Sequence, residues 1–308
     1  MNNQKNYTNG VIFSLVNCLS LGILGIVDKI GILQSNNPLV FSTQSLLFSV
    51  LFTVIFVLAY FKGLPIQGIK KMSFSAWKLI ILIGIFSSTL FMLFRFLGLT
   101  QATGTFATLS QIITTSLTAL LAWIFLKERL SKLFWLLFVV IIVSVYFVSI
   151  GKITLATVKA GDMFIIYGTF FLAIGNIFSR LAVEKVDPIL VSVLRLFFGL
   201  IFLLLIGSIF LGGAGWSGIF SNFSIWAILS GFLVSTGVLG FNLAIKRLGI
   251  TFGTSILMMA PVITMILEYS FLNYHFTLVQ IVAALVVVIS GVALILANNR
   301  TGPKLTST

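Results

Sequence analysis

The sequence predicts an all-α integral membrane protein: ten transmembrane helices arranged as two inverted five-helix repeats. Three observations predict it. Hydrophobic residues make up 59% of the 308 positions and charged residues only 8%. Apolar runs long enough to cross a bilayer recur along the whole chain. The first half also returns weakly in the second. A soluble protein carries about 25% charged residues, and 19 basic plus 6 acidic side chains cannot cover a soluble fold of this size. At about 20 residues per helix, ten spans use roughly 200 positions and leave no room for a separate soluble domain. A single cysteine, Cys18, excludes an internal disulfide framework.

The first span, 11–33, exceeds twenty residues with no small-residue cleavage site behind it, so it reads as a retained helix. Ser35-Asn36-Asn37-Pro38 separates it from span two, 39–61, which ends at Lys62-Gly63-Leu64-Pro65. Span three covers 76–98 and span four 102–124, closed by Lys127-Glu128-Arg129; span five is 132–150. The segment 151–160 joins a first unit, 1–153, to a second, 154–308, without making them independent. Span six, 161–182, is followed by Asp187-Pro188, which opens span seven at 188–210. Gly212-Gly213 ends that span, and spans eight to ten cover 225–245, 250–272 and 277–297.

Charge fixes the expected orientation. With the N-terminus in the cytoplasm, 13 of the 19 Lys and Arg residues fall on the cytoplasmic side and only Lys152 and Lys159 on the other. Lys29, Arg95, Arg180 and Arg195 lie within spans or at their ends. This bias places both termini of a multi-pass cell-membrane protein in the cytoplasm. The net charge of +13 therefore marks topology and does not form a nucleic-acid-binding stripe. Trp77, Trp123, Trp135, Trp216 and Trp226 sit near span ends, where an amphipathic ring is best placed.

The internal repeat is spaced by about 150 residues. Lys29 aligns with Arg180 and Pro38 with Pro188; Phe74-Ser75-Ala76-Trp77 returns as Phe223-Ser224-Ile225-Trp226. Thr105-Phe106 returns as Thr251-Phe252, and Ser131 matches Thr277, both at an offset of 146. An odd number of spans per half forces the halves to insert in opposite directions, the organisation of many transporters, whose substrate site lies where the halves meet.

Two segments carry a family resemblance. Thr118-Ala-Leu-Leu-Ala-Trp-Ile-Phe-Leu-Lys-Glu-Arg-Leu-Ser131 and Pro188-Ile-Leu-Val-Ser-Val-Leu-Arg195-Leu-Phe-Phe resemble the close of span four and the start of span seven in the EamA family of the drug/metabolite transporter superfamily. The resemblance implies export or exchange of small metabolites, commonly amino acids, with spans one to four and six to nine around the cavity and five and ten outside it. The sequence departs from that pattern at Thr115, where proline is common, at Tyr274, which replaces the glutamate expected opposite Glu128, and at Ser45, opposite Arg195.

Charges within a bilayer are costly and so are functional candidates. Asp28 and Glu268 lie well inside spans one and nine, with Arg95 at similar depth in span three. One of the acids is expected to pair with Arg95, as an outer gate, as a proton-responsive site, or as a static ion pair with Lys29 snorkelling to the headgroups. Arg195, two turns into span seven, either attracts an anionic substrate or braces helix-end carbonyls. Among the uncharged polar residues Asn17, Gln44, Ser87, Ser88, Thr89, Gln111, Thr114, Asn176 and Asn242, the preferred substrate contacts are Gln44 and Asn176, with Asn242 beside them. Interhelical hydrogen bonding is the competing role for all of these. Pro261, inside span nine, is expected to bend it.

No ATP-binding phosphate loop is present, and Gly213-Ala-Gly-Trp-Ser-Gly218 reads as a flexible loop because no strand precedes it. His275 and Cys18 cannot make a zinc cluster. No cofactor and no enzymatic activity are expected. The expected partners are a small-molecule substrate and the lipid bilayer, with proton coupling and homodimerisation as open options and nucleic acid excluded. The leading reading is a secondary transporter working by alternating access. A flippase for a lipid or lipid-linked carrier and a non-transporting membrane scaffold are the alternatives.

Overall fold

The computed structural model describes residues 2–35, 37–61, 66–70, 72–127, 130, 132–152 and 158–299, and the side chains at 2–7, 60–61, 66–67, 126, 212–218, 221, 242, 245–255 and 294–299 lie outside the described residues. Glu128, Arg129 and Ser131 of the span-four motif are likewise outside them.

Every regular element among the described residues is helical. A lipid-facing backbone leaves few alternatives, because each N–H and C=O must be bonded within its own segment. The elements are α1 (Asn2–Gln34), α2 (Pro38–Phe61), a short α3 (Ile66–Lys70), α4 (Phe74–Ile83), a π-helical stretch (Gly84–Leu90) and α5 (Phe91–Leu99). Then follow α6 (Gly104–Leu126), α7 (Lys132–Ile150), α8 (Ala160–Val183), α9 (Pro188–Ser221), α10 (Ile225–Leu257), α11 (Ala260–Leu272) and α12 (Leu278–Asn299). Among the described residues seven segments are long and apolar enough to cross a membrane: Thr8–Gln34, Pro38–Ala59, Phe74–Leu99, Gly104–Phe125, Lys132–Ile150, Ala160–Val183 and Pro188–Leu211. Ile225–Phe241, Ala260–Leu272 and Leu278–Ala293 are shorter apolar helices.

Three expectations are corrected. Gly212-Gly213 does not end α9, and 213–218 is no loop: the backbone stays helical to Ser221. A glycine costs only about 1 kcal/mol relative to alanine in a helix, whereas an unpaired amide at the bilayer edge costs more. The helix after span eight also does not stop near Lys246; α10 continues to Leu257 and the turn falls at Met258-Met259. Lys and Arg are good helix formers, so a charge pair does not interrupt a helix. Pro261 consequently lies in the first turn of α11 and not at a bend within a span, a position where its missing N–H removes no intrahelical bond.

Helix ends follow the sequence closely. Ser73 caps α4 by accepting from the Ala76 amide, Thr103 caps α6 through the Phe106 amide, and Asp187 caps α9 through that of Ile189. α6 closes on Lys127 and α11 on Asn273, both left-handed, with φ of 55° and 50°. Those two residues are 146 positions apart, the same offset as the Thr105/Thr251 match.

The packing pairs elements across the halves. α1 lies on α10, and α8 lies on α4, the π stretch and α5; α2 meets α9, α6 meets α11, and α7 meets α12. α6 also packs on α8, and α11 on α1. Exchanging the first five apolar elements for the last five maps each of these contacts onto itself or onto another of the set. Glycines allow the closest crossings. A Cβ at Gly98 would press on the Gly161 carbonyl oxygen at 2.6 Å, and one at Gly161 on the Gly98 carbonyl oxygen at 2.7 Å. At the rim, Thr277 Oγ1 donates to Gly151 O at 2.8 Å and Gln280 Nε2 to Val148 O at 3.0 Å, tying α12 to the end of α7.

Candidate functional site

A cavity of about 220 Å³ opens between the two sets of helices. Its polar wall comes from Asn17 of α1, Ser87 and Ser88 of the π stretch, Arg95 of α5, Thr108, Gln111, Thr114 and Thr115 of α6, Asn176 of α8 and Arg195 of α9. Its apolar wall includes Leu21, Leu24, Phe91, Met92, Leu172, Val234, Val238 and Phe241, with Leu257, Met258, Ala260 and Pro261 at the α10–α11 turn. Among the described residues α7 and α12 supply no lining residue, in keeping with what the resemblance implies. Among the described residues α2, which the resemblance places at the cavity, supplies none either.

One end of the cavity is closed by buried charge. Arg95 Nε and Nη2 donate to Asp28 Oδ2 at 3.1 and 3.0 Å, and Arg95 Nη1 to the Ala107 carbonyl at 3.3 Å. Ser230 Oγ donates to Asp28 Oδ1 at 2.7 Å. Its proton being so placed, Ser45 must be the donor in the 2.7 Å Ser45–Ser230 bond. This chain ties α1, α2, α5, α6 and α10 together around a carboxylate whose two oxygens are both hydrogen-bonded. Asp28 and Arg95 are 1% and 2% exposed, and at that depth a charge is tolerable only when both paired and hydrogen-bonded.

Glu268 does not join that pair. Its Oε1 accepts from the Gly104 amide at 2.6 Å and its Oε2 from the Thr105 amide at 2.9 Å. Together with the Thr103 cap, the carboxylate satisfies the first three free amides of α6 and neutralises the positive end of its dipole. The expectation that either acid pairs with Arg95 therefore resolves to Asp28 alone. Alongside, Thr264 Oγ1 lies 3.1 Å from Thr108 Oγ1 and donates to Gly22 O at 2.7 Å, sealing α1, α6 and α11 against one another. Lys29 Nζ donates to Leu99 O at 2.7 Å, so it caps the C-terminus of α5 and does not snorkel outward.

Gln44 lies outside the cavity. Its Nε2 donates to Ile219 O at 3.1 Å and Asn222 O at 2.9 Å, closing the end of α9. Thr89 is used within the fold, donating to the Gly84 and Gly199 carbonyls at 3.1 Å. The side chain of Asn242 is outside the described residues. Asn176 lines the cavity and donates to Thr118 Oγ1 at 3.3 Å. Asp162 is the buried acid the sequence reading missed. It accepts from Ser149 Oγ in the first turn of α8.

Several cavity groups have no partner. Asn17 Nδ2, Ser87 Oγ, Ser88 Oγ and Arg195 Nε are buried without a hydrogen bond among the described residues. Buried polar atoms are nearly always bonded, so a cluster of exceptions in one cavity asks for a ligand. The π stretch contributes to this. A π turn is wider than an α turn and recurs at functional sites, and here it carries both serines at the wall.

No curated protein matches the sequence. A protein of known crystal structure, 15% identical, matches over 97% of this chain and 98% of that chain with a TM-score of 0.63, a likeness of fold alone. The model of the EamA-like transporter family matches residues 8–150 and again 159–297. With nearly the whole chain covered by these two copies, the protein belongs to the EamA-like transporter family.

Proposed function

We propose that this membrane transporter is a secondary carrier, an exporter or exchanger of small metabolites, working by alternating access through ten spans in two inverted repeats. The cavity carries the reading: it sits between the halves and holds polar groups that the fold itself leaves unbonded. The repeat is supported by the exchange-symmetric packing and by the left-handed caps at Lys127 and Asn273. In this reading α10, α11 and α12 provide spans eight to ten, and both termini are cytoplasmic.

The closed end then faces outward. Asp28 with Arg95, and Glu268 with the α6 amides, hold α1, α5, α6 and α11 together there. Opening that end requires breaking these contacts, and closing the other end repays them in a mirrored arrangement. Purified protein in liposomes, screened with labelled amino acids and organic acids, with and without a pH gradient, tests the proposal. Accumulation or counterflow of at least one class supports it, and a pH-gradient dependence adds proton coupling. Failure of every class to move in protein that melts cooperatively would remove it.

A further inference from the structure

We infer that the cavity receives a small monoanion with an apolar body, its charged head held by Arg195; the inference rests on the transport reading only in taking this cavity as the substrate's. The charge balance comes first. Among the described lining residues the ionisable side chains are Arg95 and Arg195. Arg95 is compensated by Asp28, and both oxygens of that carboxylate are already taken, by Arg95 and by Ser230. Arg195 has no ion pair among the described residues, and its Nε is buried without a hydrogen bond. The wall therefore carries one uncompensated positive charge. Inside a membrane that arrangement calls for one negative charge, supplied by the ligand. A dianion would overshoot, and a zwitterion would leave the charge uncancelled.

The unbonded neighbours agree in polarity. Asn17 Nδ2 is a donor, and the Ser87 and Ser88 hydroxyls can donate; these residues are 2%, 1% and 1% exposed. No carboxylate lines the cavity among the described residues to receive an ammonium group. Two glycines bring α9 close to the π stretch that carries the serines. A Cβ on Gly84 would lie 3.4 Å from the Arg195 carbonyl, and one on Gly199, a turn beyond Arg195 on the same face, would collide with Ser88 Cβ. α9 thus crosses the π stretch closely, and Arg195, Ser87 and Ser88 share the wall of one cavity. The guanidinium fork suits a bidentate carboxylate. Leu21, Leu24, Phe91, Leu172, Val238 and Phe241 supply the apolar side. The volume of about 220 Å³ is below the roughly 300–1,000 Å³ of pockets for drug-sized ligands, which confines the body to about one ring or a short chain.

The test holds the body constant and varies the charge. Binding of phenylacetate, phenethylamine, phenylalanine and phenylsuccinate to the purified full-length protein is measured by calorimetry, with hexanoate and hexylamine as a second, unbranched body. The monoanions are expected to bind at least tenfold tighter than the cations, the zwitterion and the dianion. Arg195→Gln should lower monoanion affinity at least tenfold, and Arg195→Lys, which keeps the charge but not the fork, should lower it less. Equal affinity across charges, or tighter binding of a cation or zwitterion to the wild type, overturns the inference even if the Arg195 variants fold poorly; so does an unchanged affinity in well-folded Arg195→Gln. Liposome counterflow separates the two readings. Movement of phenylalanine without monoanion binding sinks this inference and leaves transport standing. Selective monoanion binding with no movement of any compound does the reverse.

Discussion

Asp28 accepts three hydrogen bonds, two of them from Arg95, so its replacement leaves Arg95 as a buried charge with nothing opposite it. Asp28→Asn is expected to destabilise the protein by about 3–5 kcal/mol, the usual cost of breaking one side of a buried pair. Adding Arg95→Gln should recover part of that loss. Thermal unfolding of the single and double variants checks both, and strict additivity would show that the pair is not coupled. Glu268→Gln is milder: one amide keeps an acceptor oxygen, while the other faces a new NH₂ group. A loss of about 1–2 kcal/mol is expected, the size of a lost cap with its dipole charge, read from the same melts. That one of Asp28 and Glu268 pairs with Arg95 was legible in the sequence, because opposite charges at similar depth in a bilayer have few other ways to be neutralised. Which of the two does so was not, nor was the partner of Glu268. Backbone amides are present at every position, and only the tertiary fold decides which helix start meets the acid. Asp162 gives no sequence signal either, since an acid in a first helical turn is what the dipole favours anywhere.

Elements were readable where a break carries a specific conformational demand. Asp187-Pro188 gave both an N-cap and a first-turn proline, and α9 begins there; Lys132–Ile150 matches the predicted fifth span end to end. Glycine and charge alone misled, at 212–218 and near Lys246, because a helix in or beside lipid tolerates both at a cost below that of an unpaired backbone. The π stretch at Gly84–Leu90 was not readable, as its composition is that of any polar-flecked helix. Its place is fixed by packing, with Gly175 of α8 and Gly199 of α9 pressed against Ser87 and Ser88. The α5–α8 crossing is open to test. Gly98→Ala would force a methyl group into the Gly161 carbonyl and the Ile165 side chain, separating α5 from α8. A loss of about 1–3 kcal/mol is expected from such overpacking, while Gly207→Ala, whose Cβ meets only the end of the Ile219 side chain at 3.6 Å, should be close to neutral. Equal melting points for the two variants would contradict this packing.

At the scale of the whole molecule, alternating access demands that the contacts closing one end of the cavity be breakable within a working cycle. Under the proposed mechanism the fold would meet that demand in a particular way. The closed end is held by hydrogen bonds and one ion pair, contacts with discrete made and unmade states, and the Thr108–Thr264 contact joins the fourth apolar element of one half to its counterpart in the other. In the proposed inverted-repeat arrangement, an element pair that maps onto itself when the halves are exchanged would lie on the pseudo-symmetry axis, where a hinge or a clasp acts on both halves together. The two threonine hydroxyls are 3.1 Å apart, so cysteines in their place sit within reach of a disulfide. With Cys18 as the only native cysteine, a Cys18→Ser background removes competing thiols. Oxidation of Thr108→Cys combined with Thr264→Cys is expected to hold this end shut and reduce liposome transport to background, with reductant restoring it. Each single-cysteine variant should be unaffected by oxidant. Transport that continues after complete cross-linking would mean that α6 and α11 never part, and substrate would then have to pass this end by another route.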